Sequence, residues 1–240
     1  MADARLIIFA RLPIAGRTKT RLIPALGEAG AARLQDTLTR RTLEQASALV
    51  ERRKVEIEIR FTGGPAAAMS ARYGDTFLYT DQGEGDLGQR LASAAYAATT
   101  PPRPVIIIGT DCPGLTADIL CAALDALAEN DIVLGPALDG GYYLIGFRRF
   151  YPDLFTGIPW STAEVLPLTR LAASRAGLTI AMLPPLSDVD VPEDLAILPD
   201  AFIAPALRLT SETDDPPPPP DECCRRADEH GPWCSAEHGR

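Results

Sequence analysis

Histidine is almost absent from this 240-residue chain, and its absence excludes several kinds of catalytic site. Both histidines, His230 and His238, lie near the C-terminus, so the first 210 residues contain none. A Ser-His-Asp triad, a Cys-His pair and a histidine-ligated metal all need an imidazole in the folded core. The core chemistry must therefore depend on carboxylates, lysine, arginine, hydroxyls and a hard metal ion.

The sequence also lacks any apolar run long enough to span a bilayer, and residues 1–5 lack the basic region and apolar stretch of a secretory signal. We therefore expect no membrane association and a cytoplasmic location. A positive charge excess is missing too, because the formal net charge is −9. Such a chain is repelled by a phosphate backbone, so nucleic acid is not an expected partner.

The composition changes after about Pro205. Residues 211–240 contain eight acidic residues against three arginines and include five consecutive prolines, Pro216–Pro220. Such a segment cannot bury enough apolar surface to offset the entropy of ordering it. We therefore expect one domain over residues 1–204 and a tail over residues 205–240 that is disordered or ordered by a protein partner. The tail cysteines and histidines match no standard zinc spacing.

Strand and helix patterns alternate along residues 1–204. The strongest strand is Pro104–Gly109, which is apolar throughout, as is typical of a central parallel strand covered on both faces. Thr116 is a predicted helix N-cap, and Ser161 or Thr162 is another. Further strands are predicted over residues 5–10, 54–61, 76–80, 131–135, 142–147 and 178–183, and helices over residues 28–50, 65–72, 91–98, 116–128 and 161–176. This alternation predicts an α/β fold with a doubly wound, mostly parallel sheet and flanking helices, in which ligands bind beyond the carboxyl ends of the strands.

The loop after the first strand is rich in cations. Arg17, Lys19 and Arg21 fall within five residues, next to Gly16. Cations at the carboxyl end of a strand suit an oligophosphate, although no glycine precedes Lys19 as in a Walker loop. A solvated basic loop is the alternative explanation, and the position of the loop favours phosphate binding.

Acidic residues follow two further strands. Asp111 comes directly after the central strand, where a carboxylate can hold a divalent cation that bridges phosphates, although aspartate is also a common turn former. Asp188 and Asp190 precede a short helix that begins at Pro192. Strand alternation predicts that only one of the two faces the ligand crevice, and capping of that helix is the alternative role for the other. Cys112 has no histidine to activate it and is predicted to be a packing residue.

Two glycine-rich segments could contact a ligand. In the first, Gly140 and Gly141 permit close approach of the backbone and are followed by tyrosines, while a hairpin turn explains the same residues. The second, residues 83–88, matches the dinucleotide pattern G-x-G-x-x-G. Glu84 and Asp86 would put negative charge where a pyrophosphate should lie, which disfavours a dinucleotide.

Together these motifs resemble the bacterial DUF2064 family of GT-A-fold transferases, whose members are described as glycosyltransferases and are encountered beside radical-SAM genes. The resemblance covers residues 6–198, and the tail has no counterpart in it. Its motifs, in the order of the family, are FARLPIAGRTKTRL, GEGDLGQRL, GTDCPGL, LGPALDGGYYLIGF, IPWST and SDVDVPEDL. The resemblance implies the fold of nucleotide-diphospho-sugar transferases.

The resemblance implies that Arg17, Lys19 and Arg21 lie near the donor phosphates and that Asp111 and Asp190 bind a metal ion. The other candidate roles are expected from residue type and position. The residues near the nucleotide and its phosphates are Gly16, Arg17, Lys19, Arg21, Asp86 and Gly88. The residues near the substrate are Gly140, Gly141, Tyr143, Trp160 and Ser161. Asp111 would bind Mg²⁺ or Mn²⁺, with Asp190 and Asp188 as further candidate ligands. Lys19 and Asp139 are the catalytic candidates, with Asp139 as the carboxylate base of an inverting transfer.

Two reactions remain open. The first is transfer of a sugar from a nucleotide-diphospho-sugar to a small-molecule acceptor. The second is nucleotidylyl transfer from a nucleoside triphosphate with release of pyrophosphate, because a cationic loop after the first strand is the usual triphosphate site and residues 19–22 resemble phospholactate guanylyltransferases. A protein that binds a nucleotide without turnover, recruited through its tail, is a third possibility.

Overall fold

The predicted strands assemble into one sheet in a computed structural model, which describes residues 2–207. The strands are β1 (Ala4–Arg11), β2 (Val55–Thr62), β3 (Leu78–Asp81), β4 (Val105–Ile108), β5 (Ile132–Pro136), β6 (Tyr142–Phe147) and β7 (Ile180–Met182). Their order across the sheet is β3-β2-β1-β4-β6-β5-β7, and β6 alone runs antiparallel to its neighbours. The predicted mostly parallel α/β sheet is therefore confirmed.

Helices cover both faces of this sheet. They are α1 (Ile23–Arg52), α2 (Ala66–Tyr73), α3 (Leu87–Ala98), α4 (Ala117–Glu129), α5 (Val165–Arg175) and α6 (Asp200–Leu207), with short 3-10 turns at Thr20–Leu22, Pro152–Leu154 and Pro192–Ile197. The core under α1, α2 and α4 includes Leu6, Ile8, Ile106 and Ile108, none more than 2% exposed. Burial of each such side chain contributes about 1.5–3 kcal/mol. Helices α3 and α5 pack against the opposite face.

Parallel pairing brings the carboxyl ends of β1 and β4 together. Ile8 in β1 pairs with Ile108 in β4, and Ile108 pairs with Leu144 in the antiparallel β6. The loops after β1 and β4 and the turn before β6 therefore share one edge of the sheet. This is the edge at which the sequence predicted ligand binding.

The two predicted helix caps have different outcomes. Thr116 caps α4, since its side chain accepts a hydrogen bond from Ile119 N. The prediction for α5 was wrong, because this helix begins at Val165 and no side chain caps it. Ser161 has a left-handed backbone with φ of 64°. Thr162 is in a turn, where its hydroxyl donates to Pro159 O at 2.7 Å.

Helix α6 runs through the predicted domain boundary at residue 204. It packs on α1 at Gly30, where an added Cβ would lie 2.8 Å from Ala206 O. Arg33 donates from Nε to Pro205 O and from Nη2 to Ala206 O, both at 3.0 Å. The remaining tail, with its predicted disorder, its protein partner and its cysteines and histidines, lies outside the described residues. Within residues 2–207, no helix combines the length and apolar character needed to cross a membrane.

Candidate active site

A cleft of about 620 Å³ opens at the edge of the sheet where β1 and β4 end. Most of the predicted site residues line it: Arg17, Lys19, Arg21, Asp111, Asp139, Gly141, Tyr143, Trp160, Ser161, Asp188 and Asp190. They come from five separate stretches of the chain, which the sheet brings to one place. Gly16, Asp86, Gly88 and Gly140 are not among the lining residues.

Lys19 lies at the base of the cleft, with only 4% of its side chain exposed. Its Nζ is 2.8 Å from Asp111 Oδ1 and 3.2 Å from Asp190 Oδ1, and it donates to Val189 O at 2.6 Å. Burial by itself would lower the pKa of Lys19, but the charges of Asp111 and Asp190 outweigh it and raise the pKa above its usual value. Lys19 is therefore a charged lysine paired with two carboxylates of the cleft, and its expected contact with phosphates stays a prediction.

Arg17 and Arg21 differ from Lys19 in their surroundings. Both side chains are exposed and line the cleft. Neither makes a side-chain hydrogen bond or ion pair with any residue in the described part of the chain. Gly16 stands behind them in a turn with φ of 75°, which favours glycine. Two of the three loop cations are thus available to an anion.

Asp188 and Asp190 both line the cleft, so the prediction that only one of them would do so was wrong. The physical reason is that residues two apart in an extended chain project to the same side, while Val189 between them is fully buried. Neither aspartate caps the helical turn at Pro192. The side chain of Asp194, inside this turn, accepts from Asp190 N at 2.8 Å and from Val191 N at 2.9 Å.

Asp188 is a half-buried carboxyl group. Burial first, and then the nearby charge of Asp139, raise its pKa to about 6. The same acidic surroundings act on Cys112, which is a buried residue in the wall of the cleft. Burial, assisted by the charges of Asp188 and Asp111, raises the pKa of its thiol far above the usual value. Cys112 is thus a protonated packing residue, as predicted.

The acidic residues can be tested as ligands for the expected Mg²⁺ or Mn²⁺. Asp111 Oδ1 is buried and has no aligned hydrogen-bond donor, although the Lys19 ammonium is close to it. No group of three histidine, cysteine, aspartate or glutamate residues within 2–207 is arranged to hold a metal. A magnesium ion, however, needs only one or two carboxylates when substrate phosphates and water complete its shell. Asp111 and Asp190, which we call the acid pair, fit that donor set.

Asp139 forms the turn between β5 and β6. Its Oδ1 accepts from Gly141 N at 2.7 Å. Gly140 has φ of 93°, and an added Cβ there would lie 2.6 Å from the backbone of Ala163. Tyr143 donates from its hydroxyl to Pro184 O at 3.0 Å. The turn and ligand explanations of this segment are thus compatible, since Asp139 and Gly141 also line the cleft.

Asp86 and Gly88 support the cleft from outside. Asp86 is the N-cap of α3 and forms a capping box, in which it accepts from Gln89 N at 2.8 Å and Gln89 Oε1 accepts from Asp86 N at 3.0 Å. Gly88 packs against Trp160, and an added Cβ there would overlap the indole. Trp160 also makes an edge contact with Tyr142, their ring centroids 6.4 Å apart. The structure thus gives Asp86 a capping role at the start of α3, outside the lining of the cleft.

Two further cleft residues were missed in the sequence. Gln82 is buried, donates from Nε2 to Ala10 O and Arg60 O at 3.0 Å each, and accepts from Arg90 at 2.9 Å. It thereby positions Arg90 along the cleft wall. Gln35, in the middle of α1, is buried and donates to Thr110 Oγ1 at 2.9 Å. A polar residue directly after β3 was a usable signal for Gln82, whereas nothing local distinguishes Gln35 from other polar residues of α1.

Comparison with protein families matches residues 38–162, more than half of the chain, to DUF2064, described as an uncharacterized protein conserved in bacteria. The chain belongs to the DUF2064 family. This DUF2064 chain is also 33% identical to a candidate nucleotide-diphospho-sugar transferase from Desulfovibrio desulfuricans G20, whose crystal structure it matches with a TM-score of 0.74. The match covers 80% of this chain and 84% of that one. Comparison with curated proteins finds no match.

Other solved structures share the fold of this DUF2064 protein at low identity. One is 4-diphosphocytidyl-2C-methyl-D-erythritol synthase from Anaerococcus prevotii, with 12% identity, a TM-score of 0.55 and coverage of 86% of this chain and 99% of that one. Another is CMP:2-keto-3-deoxy-manno-octonic acid synthetase complexed with CTP, with 15% identity, a TM-score of 0.51 and coverage of 87% and 100%. The structures that this chain resembles thus include both sugar transferases and nucleotidylyltransferases, and the GT-A-like fold is confirmed.

Proposed function

We propose that this DUF2064 protein is a metal-dependent transferase that moves a sugar from a nucleotide-diphospho-sugar to a small-molecule acceptor. The observation that carries the proposal is one cleft lined both by the acid pair and by Arg17 and Arg21, which have no side-chain partner within residues 2–207. The 33% identity to a candidate nucleotide-diphospho-sugar transferase supports the same donor class. A cleft of this kind suits a phosphate-linked donor because cations and a metal ion can share the charge of its diphosphate.

The proposed roles follow from the contacts. Arg17 and Arg21 bind the donor phosphates, since their guanidinium groups have no protein partner within residues 2–207 and face the cleft. The acid pair would hold Mg²⁺ or Mn²⁺, which supplies Lewis-acid stabilisation of the leaving diphosphate. Trp160 and Gly141 line the remaining wall, where the sugar and its acceptor would lie.

Two carboxylates are candidates for the base that an inverting transfer needs. Asp139, the residue expected from sequence, is held in its turn by the backbone of Gly141. Asp188 lies in the same cleft and has a pKa raised to about 6, close to the value at which a carboxylate exchanges protons near neutral pH. We therefore add Asp188 to Asp139 as a proposed base.

Nucleotidylyl transfer is the second candidate, and one observation favours it. Arg17 and Arg21 lie in the loop after β1, where a nucleotidylyltransferase holds the triphosphate of its nucleotide. In that reaction the α-phosphorus of a nucleoside triphosphate is attacked by the acceptor and pyrophosphate leaves. The same acid pair and metal ion would serve either reaction.

The leaving group separates the two reactions. Purified protein is incubated with Mg²⁺, an acceptor panel, and either nucleotide sugars or nucleoside triphosphates. Release of nucleoside diphosphate from a nucleotide sugar supports sugar transfer. Release of pyrophosphate from a triphosphate, without turnover of any nucleotide sugar, would contradict sugar transfer and support nucleotidylyl transfer. In both cases Asp111→Asn should abolish release, while Arg175→Ala, an exposed substitution on α5, should leave it unchanged.

A further inference from the structure

Lysine is rare in this chain, and one of its few lysines is buried. Of the 23 basic residues counted as lysine or arginine, only Lys19 and Lys54 are lysines. Lys54 is exposed just before β2, whereas Lys19 has 4% of its side chain exposed. A chain that uses arginine almost everywhere else thus has a lysine at the base of its cleft.

The surroundings of Lys19 match the shape of an ammonium group. An ammonium ion is compact and has three donors, unlike the planar fork of arginine. Three oxygens lie close to Lys19 Nζ: Val189 O at 2.6 Å, Asp111 Oδ1 at 2.8 Å and Asp190 Oδ1 at 3.2 Å. Val189 N in turn donates to Asp111 O at 3.0 Å, so the segments carrying the two acids are joined by the backbone as well.

The positive charge of Lys19 therefore lies beside Asp111 and Asp190, at the place to which these carboxylates would attract a divalent ion. Each residue of the acid pair gives one oxygen to Lys19, while the side chains of Asp111 and Asp190 remain 44% and 49% exposed. A second cation near the same oxygens is repelled by the ammonium group. The attraction of such a cation exceeds this repulsion only when further negative ligands, such as phosphate oxygens, bind together with it.

We propose that Lys19 is the resident cation of the acid pair: it holds Asp111 and Asp190 together in the substrate-free protein and keeps divalent metal ions from binding there without a phosphate ligand. This role rests on the proposed function, because it assumes that the acid pair is the metal site. It makes Lys19 a positioning residue. Phosphate contacts are then left to Arg17 and Arg21.

Titration with Mn²⁺ alone tests the proposal, with free Mn²⁺ followed by electron paramagnetic resonance. The wild type should bind Mn²⁺ weakly, and Lys19→Met should bind it at least about tenfold more tightly because a nearby positive charge is removed. The double variant Lys19→Met/Asp111→Asn should lose this gain, since a ligand is missing. Arg17→Met is the matched control, because it removes one charge from the same loop and should change the affinity little.

Three outcomes would overturn the proposal: wild type and Lys19→Met binding Mn²⁺ equally, neither binding it, or Arg17→Met gaining as much affinity as Lys19→Met. If Lys19→Met does not fold, acetylation of the wild type decides. Because the chain has only two lysines, mass spectrometry can follow the acetylation of each one separately. Lys19 should react at least about tenfold more slowly than exposed Lys54. Equal reactivity would show that Lys19 is not held by the acid pair.

Thermal melting distinguishes this proposal from the proposed function. Mg²⁺ alone should leave the melting temperature of the wild type unchanged, while Mg²⁺ with inorganic tripolyphosphate should raise it. Stabilisation by Mg²⁺ alone would contradict the role of Lys19. Absence of any tripolyphosphate effect, with the manganese results as expected, would count against phosphate binding in the cleft and leave the role of Lys19 intact.

Discussion

Three cations that look equivalent in the sequence have different surroundings in the fold. Arg17 and Arg21 are exposed and unpaired among residues 2–207, whereas Lys19 is buried between two carboxylates. Lys19 has a left-handed backbone with φ of 46°, directly before the 3-10 turn at Thr20–Leu22, and of the three cations only Lys19 reaches the acid pair. Charge in a sequence therefore predicts that a ligand site exists, but the partner of each charge has to come from the fold.

The unpaired arginines lead to the first prediction. Arg17→Ala/Arg21→Ala should weaken binding of the donor nucleotide by at least about tenfold, because two charge-assisted contacts to its phosphates are lost. The free energy of unfolding should change by less than about 0.5 kcal/mol, since neither side chain supports the fold. Calorimetric titration and urea unfolding measure the two effects. Arg175→Ala is the control, and an equal loss of affinity in that variant would contradict a specific role.

Asp188 leads to a prediction about pH. Its pKa is raised in the folded protein to about 6 from 3.8, so the folded state binds the proton more tightly than the unfolded state. The wild type should therefore lose stability relative to Asp188→Asn as the pH rises from about 4 to about 6, by about 1 kcal/mol after allowance for solvent screening.

Urea unfolding at pH 4, 5, 6 and 7 measures this difference. Asp75→Asn, at an exposed position, is the control, and its free energy of unfolding should change with pH in the same way as that of the wild type. A constant difference between the wild type and Asp188→Asn across the series would show that the Asp188 carboxyl is not perturbed.

At the scale of single elements, α3 shows how a helix end can be mistaken for a binding site. Residues 83–88 match a dinucleotide pattern, yet Asp86 caps the helix and Gly88 makes room for Trp160. The negative charge that argued against a bound pyrophosphate is used to satisfy backbone N–H groups of α3. The pattern in residues 83–88 is thus compatible with both nucleotide binding and helix capping until the position of Trp160 is known.

This interpretation of α3 can be tested by substitution. Asp86→Ala should cost about 1 kcal/mol of unfolding free energy, because the cap of α3 is lost, and should leave donor affinity unchanged. Asp86→Ser should restore most of the stability, since serine also caps helices. Loss of donor binding in both variants, with stability intact, would instead assign Asp86 to the nucleotide.

At the scale of the whole molecule, α6 extends the folded domain beyond the boundary expected from composition. It buries Ala206 and packs Phe202 and Ile203 against α1, whose Arg33 donates hydrogen bonds to the last carbonyl groups of α6. The change in composition near Pro205 marks where apolar residues become scarce. The last helix within residues 2–207 continues past this point.

Truncation tests the extent of the domain. A chain ending at residue 207 should melt close to the full-length temperature and bind donor equally well, because every residue lining the cleft is retained. A chain ending at residue 199 should be less stable by about 3 kcal/mol or more, since the apolar contacts of α6 are lost. Equal stability of the two truncated chains would contradict a structural role for α6.

Much of the fold could be predicted from periodicity. Apolar runs such as Val105–Ile108 identify central strands, and parallel strands necessarily bring the loops after β1 and β4 to one edge. The error about Asp188 and Asp190 was avoidable, because a period of two puts both on one side. The start of α5 was not predictable, since Ser161 and Thr162 are good capping residues that the preceding turn uses otherwise.

The sequence by itself determined the α/β architecture, the family and the edge of the sheet where the cleft lies, because these depend on local periodicity and on motifs in a given order. Only the tertiary structure decided that Lys19 meets Asp190, which is 171 positions away in the chain, and that Gln82 positions Arg90. Such contacts depend on how distant loops meet across the sheet, and no local pattern encodes that meeting.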